Sequence, residues 1–265
     1  MNLDGAVVLL TGASSGIGAA TAPLLADRGA RLLLAGRDHA ALTQVAERCG
    51  GQAQVNVQVL IADLAEPGAA DRLATEALAR YGRVDLLINN AGAGWAGPLT
   101  EMPPALADQL ATLNLLAPVH LTRLLLPGML RHGHGHLAFV ASIAGATGVG
   151  GEAVYAATKA ALATFAASLR EELAGTPIGV TVIVPGVIDT PFFARRGTPY
   201  PRTWPRPIPP ERVAHDLVNA VESGRAEVFT PRWMRLPARL AGATPALYRM
   251  LAIRFGATRS QPRPG

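Results

Sequence analysis

The sequence predicts an α/β fold, a doubly wound parallel sheet in a single domain with a basic C-terminal extension. Three observations point there. Short leucine-rich or β-branched runs alternate with longer alanine-rich segments from end to end. The runs are apolar throughout instead of alternating with polar residues, the pattern of strands covered by helices on both faces. A glycine-rich turn, TGASSGIG at 11–18, joins the first run to the first helical segment and opens a strand–helix–strand repetition whose crossovers must be right-handed.

Taken in order, the strand runs are 6–10, 31–35, 56–61, 84–88, 136–141, 178–184 and 226–230, with helical patterns between them at 16–28, 40–49, 67–81, 103–131, 152–174 and 209–223. The first run starts so close to residue 1 that no secretory leader is expected. The uncharged stretches near 137–151 and 173–188 are broken by Gly, Pro, Ser and Thr, so neither reads as a membrane span. Pro23 falls inside the first helix, where it should kink it. Segment 190–210 breaks the rhythm with seven prolines, Phe192, Phe193, Tyr200 and Trp204. That composition reads as a lid beside a site, with Trp95, Ile143 and Val149 as the opposite wall of an apolar pocket. The domain is placed at 1–230, lid included, and an arginine-rich extension at 231–265.

Composition excludes several classes. With 265 residues, 49% of them hydrophobic, the chain buries a core without disulfide or metal and is neither disordered nor fibrous. Its one cysteine, Cys49, has no internal partner, which points to the cytoplasm and to an inert thiol. The net charge of +5 hides an asymmetry: residues 195–265 hold 13 arginines against four acids, and after Val228 there are seven arginines and no acid. Interleaved with Trp233, Leu236, Leu240 and Tyr248, they indicate subunit or pocket packing, with peripheral contact at an anionic membrane as the alternative. No nucleic-acid motif accompanies the charge, so no nucleic-acid partner is expected. His132, His134 and His136 read as a polar turn, and no metal is expected.

The glycine-rich turn carries the first chemistry. Gly12, Gly16 and Gly18 let the backbone approach a pyrophosphate, with Ser14, Ser15 and Ile17 completing the loop and the helix N-terminus supplying amide donors. Strand, turn and helix in that order are the context of a Rossmann-like dinucleotide site. The second strand ends in Leu34-Ala35-Gly36-Arg37, where an acid would bind the ribose hydroxyls of NAD. Gly36 cannot repel a phosphate and Arg37 can pair with one, so the expected cofactor is NADP(H). Asp63, with Leu64 after it, is placed to meet the adenine edge, and Asn89-Asn90-Ala91-Gly92 closes the fourth strand beside the crevice.

Tyr155 and Lys159 are four apart near the start of a helix and project from one face. An ammonium one turn away stabilises a phenolate, so Tyr155 can move a proton to or from a carbinol oxygen. Ser142 can donate a hydrogen bond to the same oxygen. Arginine outnumbers lysine 23 to 1, so the one lysine stands where an ammonium is needed. Asn114, inside a leucine-flanked helix, needs a buried partner.

Together these residues resemble the short-chain dehydrogenase/reductases in their shorter, single-domain form. TGASSGIG, NNAG, Asn114, Ser142, YAATK at 155–159 and PGVIDT at 185–190 stand in that family's order and spacing, over about residues 3–230. The resemblance implies an NADP(H)-dependent oxidoreductase interconverting a secondary alcohol and a carbonyl on a small hydrophobic substrate. It implies that Tyr155 is the acid/base and Ser142 the substrate-oxygen donor. Lys159 then tunes the tyrosine and holds the nicotinamide ribose, and Asn114 anchors a water-linked proton relay. Asn90, Ala91 and Gly92, with Pro185, Gly186, Ile188 and Thr190, become cofactor contacts. A homodimer or homotetramer through the helices of Asn114 and Tyr155 is implied as well. The rival from another class is a non-catalytic NADP(H)-binding regulator or scaffold; the presence of all four catalytic-type residues argues against it.

Overall fold

Strands apolar at most positions need cover on both faces, and the computed structural model, which describes residues 1–50, 57–200, 204–248 and 250, provides it. Seven strands, β1 (Val7–Thr11), β2 (Arg31–Gly36), β3 (Val57–Ile61), β4 (Leu86–Asn89), β5 (Gly135–Val140), β6 (Ile178–Pro185) and β7 (Glu227–Thr230), pair in parallel in the order β3-β2-β1-β4-β5-β6-β7. Helices α1 (Gly16–Ala26), α2 (His39–Cys49) and α9 (Pro210–Glu222) cover one face; α3 (Ala69–Tyr81), α5 (Ala117–His132) and α7 (Ala153–Glu172) cover the other. The period of two along β1 divides the core. Val7 and Leu9 join Leu33, Leu87 and Phe139 beneath the second group, whereas Val8 and Leu10 join Leu32, Leu34 and Ile88 beneath the first. Each such side chain contributes about 1.5–3 kcal/mol relative to an exposed one.

The predicted strands and helices fall on these elements, apart from residue 56, which lies outside the described residues. α1 runs through Pro23 without interruption. The long helix expected at 103–131 is two helices, α4 (Pro104–Ala111) and α5, joined by a π-helical turn at Thr112–Leu116. Pro104–His132 as a whole is long and apolar enough to cross a membrane by length and composition. Here that apolarity serves the core, because Leu121, Leu125 and Met129 pack against the sheet. Short helices not foreseen from periodicity are α6 (Ile143–Thr147), α8 (Phe192–Arg195) and α10 (Arg235–Ala243).

At the amino ends of the strands the histidines have structural partners. Asp85 accepts from Val7 N (2.8 Å), Arg83 Nε (3.0 Å) and His134 Nε2 (3.0 Å). Buried His136 bonds Thr181 Oγ1 at 2.8 Å, and burial pulls its pKa down to about 4. Cys49 is buried at the end of α2, and burial pushes its thiol up to about 11. At the carboxyl ends, the chain leaves β1 toward β2 but leaves β4 toward β5. The two loops diverge and open a crevice, the place where open parallel sheets bind ligands. α10 packs against α6 at its rim, and residues 251–265 of the expected extension lie outside the described residues.

Candidate active site

The crevice is a cavity of about 1780 Å³ that runs from the loop after β1 to the lid. Its first end is built by close backbone packing. Thr11 Oγ1 accepts the N–H groups of Asn90 and Ala91, both at 3.0 Å. Asn90 Nδ2 donates to the carbonyls of Thr11 (2.9 Å) and Gly12 (3.1 Å), so its amide fastens the glycine loop to the end of β4. A Cβ on Gly18 would lie 2.3 Å from Gly12 O, which only glycine avoids. Gly12, Ser14, Ser15, Gly16 and Ile17 face the cavity, while Gly18 supports them without lining it. Ser15 is the N-cap of α1, yet its side chain caps no amide of the helix. The free amides of that first turn fit a pyrophosphate.

At the edge of the same end, Arg37 Nη1 stands 3.3 Å from Asp63 Oδ2, with 64% of the Arg37 side chain exposed. Asp63 Oδ1 accepts Ala65 N at 3.0 Å, and Leu64 lines the cavity beside it. A Cβ on Gly36 would lie 3.5 Å from Ser14 Oγ, so hydroxyl, bare backbone and guanidinium share one corner. The Arg37–Asp63 pair was not foreseen from the sequence.

The other end holds the titratable groups. Ser142 stands two residues past β5 and caps α6, its Oγ accepting Ala144 N at 3.2 Å. Tyr155 and Lys159 lie one turn apart on α7, 9% and 4% exposed. Lys159 Nζ donates to Val140 O at 2.8 Å, and burial pulls its pKa from 10.5 down to about 8. Burial pushes the Tyr155 phenol from 10.0 up to about 12, against the opposing effect of its hydrogen bond with Ser142. In the protein alone the phenol is therefore neutral: loss of water around it outweighs the Ser142 hydrogen bond and the nearby Arg196 charge, Glu152 adds to the rise, and the lowering expected from Lys159 is not among the effects that set it.

Asn114 sits fully buried in the π-helical turn. Its Oδ1 accepts Ala93 N (3.0 Å), and its Nδ2 donates to Ala93 O (2.9 Å) and Thr158 Oγ1 (3.1 Å). That satisfies the amide, and π turns are frequent at functional sites. A Cβ on Gly92 would lie 3.2 Å from Asn114 Oδ1 and 3.3 Å from Lys159 Nζ, so this glycine keeps a gap open between the two side chains. Ala91, Pro185, Gly186, Ile188 and Thr190 complete the wall between the two ends.

The lid lines one side of the cavity. The Phe192 ring lies 5.4 Å from that of Tyr155, and Phe193 packs on Tyr200 at 5.3 Å. Ile143 and Val149 line the opposite wall as expected, but Trp95 packs over Gly97 instead of facing the cavity. Met234, Pro237, Leu240 and Tyr248 of the C-terminal segment line the mouth, where Trp204 stacks on Trp233 at 5.2 Å. Glu152 escaped sequence reasoning: it stands three residues before Tyr155 and pairs at 2.5 Å with Arg196, whose side chain is only 3% exposed. Nothing in the sequence joins these two positions.

A glycine-loop crevice that leads to a buried Tyr–Lys pair defines an oxidoreductase site for a nicotinamide nucleotide. The chain belongs to the short-chain dehydrogenase/reductase family: the family model "short chain dehydrogenase" matches residues 6–200. Over 235 residues it is 35% identical to dehydrogenase/reductase SDR family member 7B of Bos taurus, covering 84% of this chain and 72% of that protein. A short-chain dehydrogenase from Sphingobium yanoikuyae, solved with NADPH, superposes with a TM-score of 0.82 at 27% identity, over 98% of this chain and 99% of its own. A family member from Burkholderia phymatum, solved with NAD, also gives 0.82 at 25% identity, over the whole of both chains.

Proposed function

We propose that this protein is an NADP(H)-dependent reductase of a hydrophobic ketone or aldehyde, working through Tyr155, Ser142, Lys159 and Asn114. The observation that carries the reading is the pairing of buried Tyr155 and Lys159 at one end of a cavity whose other end is the glycine loop with Gly36 and Arg37 beside it. The corner at Ser14, Gly36 and Arg37 favours the 2′-phosphorylated cofactor, because a guanidinium pairs with phosphate and no acid ends β2.

The nicotinamide ring, when bound, supplies or takes up the hydride. Tyr155 gives its phenolic proton to the carbonyl oxygen as the carbon is reduced, and its neutral form is the one that burial favours. Ser142 holds that oxygen through a hydrogen bond. Lys159 has one of its three N–H donors on Val140 O, leaving two for ribose hydroxyls and for a water in the gap beside Gly92. Proton return to Tyr155 then runs from the Asn114 side of that gap past Lys159. Phe192, Phe193, Trp204 and Trp233 line an apolar substrate end. The rim carries exposed Trp204 and Leu236 beside Arg232, Arg235 and Arg239, and we read it as a face that rests on an anionic bilayer and admits a lipophilic substrate.

The test is NADPH oxidation against steroid, fatty-acyl, retinoid and aromatic carbonyls, with Tyr155→Phe in parallel. Turnover by the intact protein should fall by at least about a thousandfold in the variant, with NADPH affinity within a few-fold. Equal turnover by the variant would refute the assignment. NADPH binding with no turnover across the panel would favour the scaffold.

A further inference from the structure

Arg195 lies on α8, five residues past Thr190, and its Nη1 reaches Ser15 Oγ at 2.8 Å. This contact joins the lid to the glycine loop across 180 residues. Its electrostatics are unfavourable as they stand. Ser15 caps the N-terminus of α1, the positive end of the helix dipole, and the first turn of α1 contains no acidic residue. Arg195 makes no ion pair among the described residues, whereas its neighbour Arg196 is paired with Glu152. A guanidinium held over a positive helix end, with no counter-charge, is an arrangement that an anion between the two would stabilise.

The rest of α8 and Arg196, which caps its end, are anchored on the opposite side. Arg196 Nε donates to Thr198 O at 3.0 Å and its guanidinium covers the Phe193 ring at 4.7 Å. Phe192 packs on Tyr155 and its tip lies where a Cβ on Gly94 would be, 2.5 Å away. One short helix thus touches the reaction residue with one side chain and the phosphate loop with another.

We propose that Arg195 is a ligand for the pyrophosphate of the bound dinucleotide, and that through it the cofactor clamps the lid over Tyr155. The inference rests on the dinucleotide reading above and adds a residue that the family motifs do not contain. The pyrophosphate is the fitting group because Ser15 stands at the α1 N-terminus. The 2′-phosphate corner at Arg37 is a separate place, at the end of β2. Lid closure would then follow cofactor binding, so substrate would enter an already clamped site.

The experiment is equilibrium binding without substrate, comparing NADPH with 2′-AMP, which carries the 2′-phosphate but no pyrophosphate. Arg195→Met should weaken NADPH about tenfold at low ionic strength, less at high salt, and leave 2′-AMP within about twofold. Arg195→Lys should recover part of the loss. Hydrogen exchange provides a second readout: saturating NADPH should slow exchange over 192–200 in the wild type and much less in Arg195→Met. Unchanged NADPH affinity in Arg195→Met would overturn the proposal. So would an equal loss for NADPH and 2′-AMP, since that places the effect at the other phosphate or in the fold. If the wild type binds neither ligand, it is the dinucleotide reading that fails first.

Discussion

Lys159 offers a way to measure what the reaction site costs the fold. It is the one lysine of the chain, only 4% exposed, with a hydrogen bond to Val140 O. Burial disfavours its charged form and brings its pKa from 10.5 down to about 8. Between those values the unfolded chain keeps a proton that the folded protein has released, so stability must rise with pH. The contribution is fully present above pH 10.5 and is lost as pH falls through about 8. That depression corresponds to roughly 3 kcal/mol, most of which falls between pH 7 and pH 10.

Lys159→Met removes the titration while keeping most of the volume. Tyr155 also titrates abnormally, but in the opposite sense and in both proteins, so it cancels in their difference at each pH. Urea unfolding of the two proteins at pH 7, 8, 9 and 10 gives that difference directly. The wild type should gain roughly 2–3 kcal/mol on the variant across the range, while the variant has no turnover at any pH. Parallel stability curves would refute the reasoning, because they would mean that the ammonium is solvated in the folded state.

Two further outcomes are expected. Arg37→Asp replaces a phosphate-pairing fork with a repelling carboxylate and should lower the ratio of kcat/KM for NADPH over NADH by at least about tenfold; an unchanged ratio would remove Arg37 from cofactor choice. The wild type should sediment with phosphatidylserine-containing vesicles and not with neutral ones, and the triple change of Arg232, Arg235 and Arg239 to Gln should release it; a wild type that stays in solution in both cases would end the membrane reading.

The fold was legible because its signals are local. Each strand is a short apolar run bounded by turn residues, and alternate positions along β1 supply both cores. The glycine loop was legible for the same reason: its spacing within 11–18 expresses one tight turn. Tyr155 and Lys159 could be paired because one helical turn separates them. Asn114 was visible only as an anomaly, an amide among leucines. Its partners, the two backbone groups of Ala93 and Thr158 Oγ1, are set by a π-helical turn that apolar periodicity does not reveal.

The charged contacts of the lid were hidden for a physical reason. The lid's aromatic and proline content marks it as a wall, but its working contacts are made by charged side chains with distant partners. Two adjacent arginines at 195 and 196 are equivalent in the sequence. The backbone of α8 sends one to Glu152, where it is buried and neutralised, and the other to Ser15, where it is left facing a helix end of like sign. Burial separates them further: an arginine at 3% exposure must have its carboxylate, so Arg196 belongs to the structure of the lid. Arg195 has no such partner to give up, so an arriving anion meets a guanidinium that needs no prior ion pair broken. That difference depends on the path of four residues after Thr190 and on nothing in their composition, which is why it becomes visible only in three dimensions.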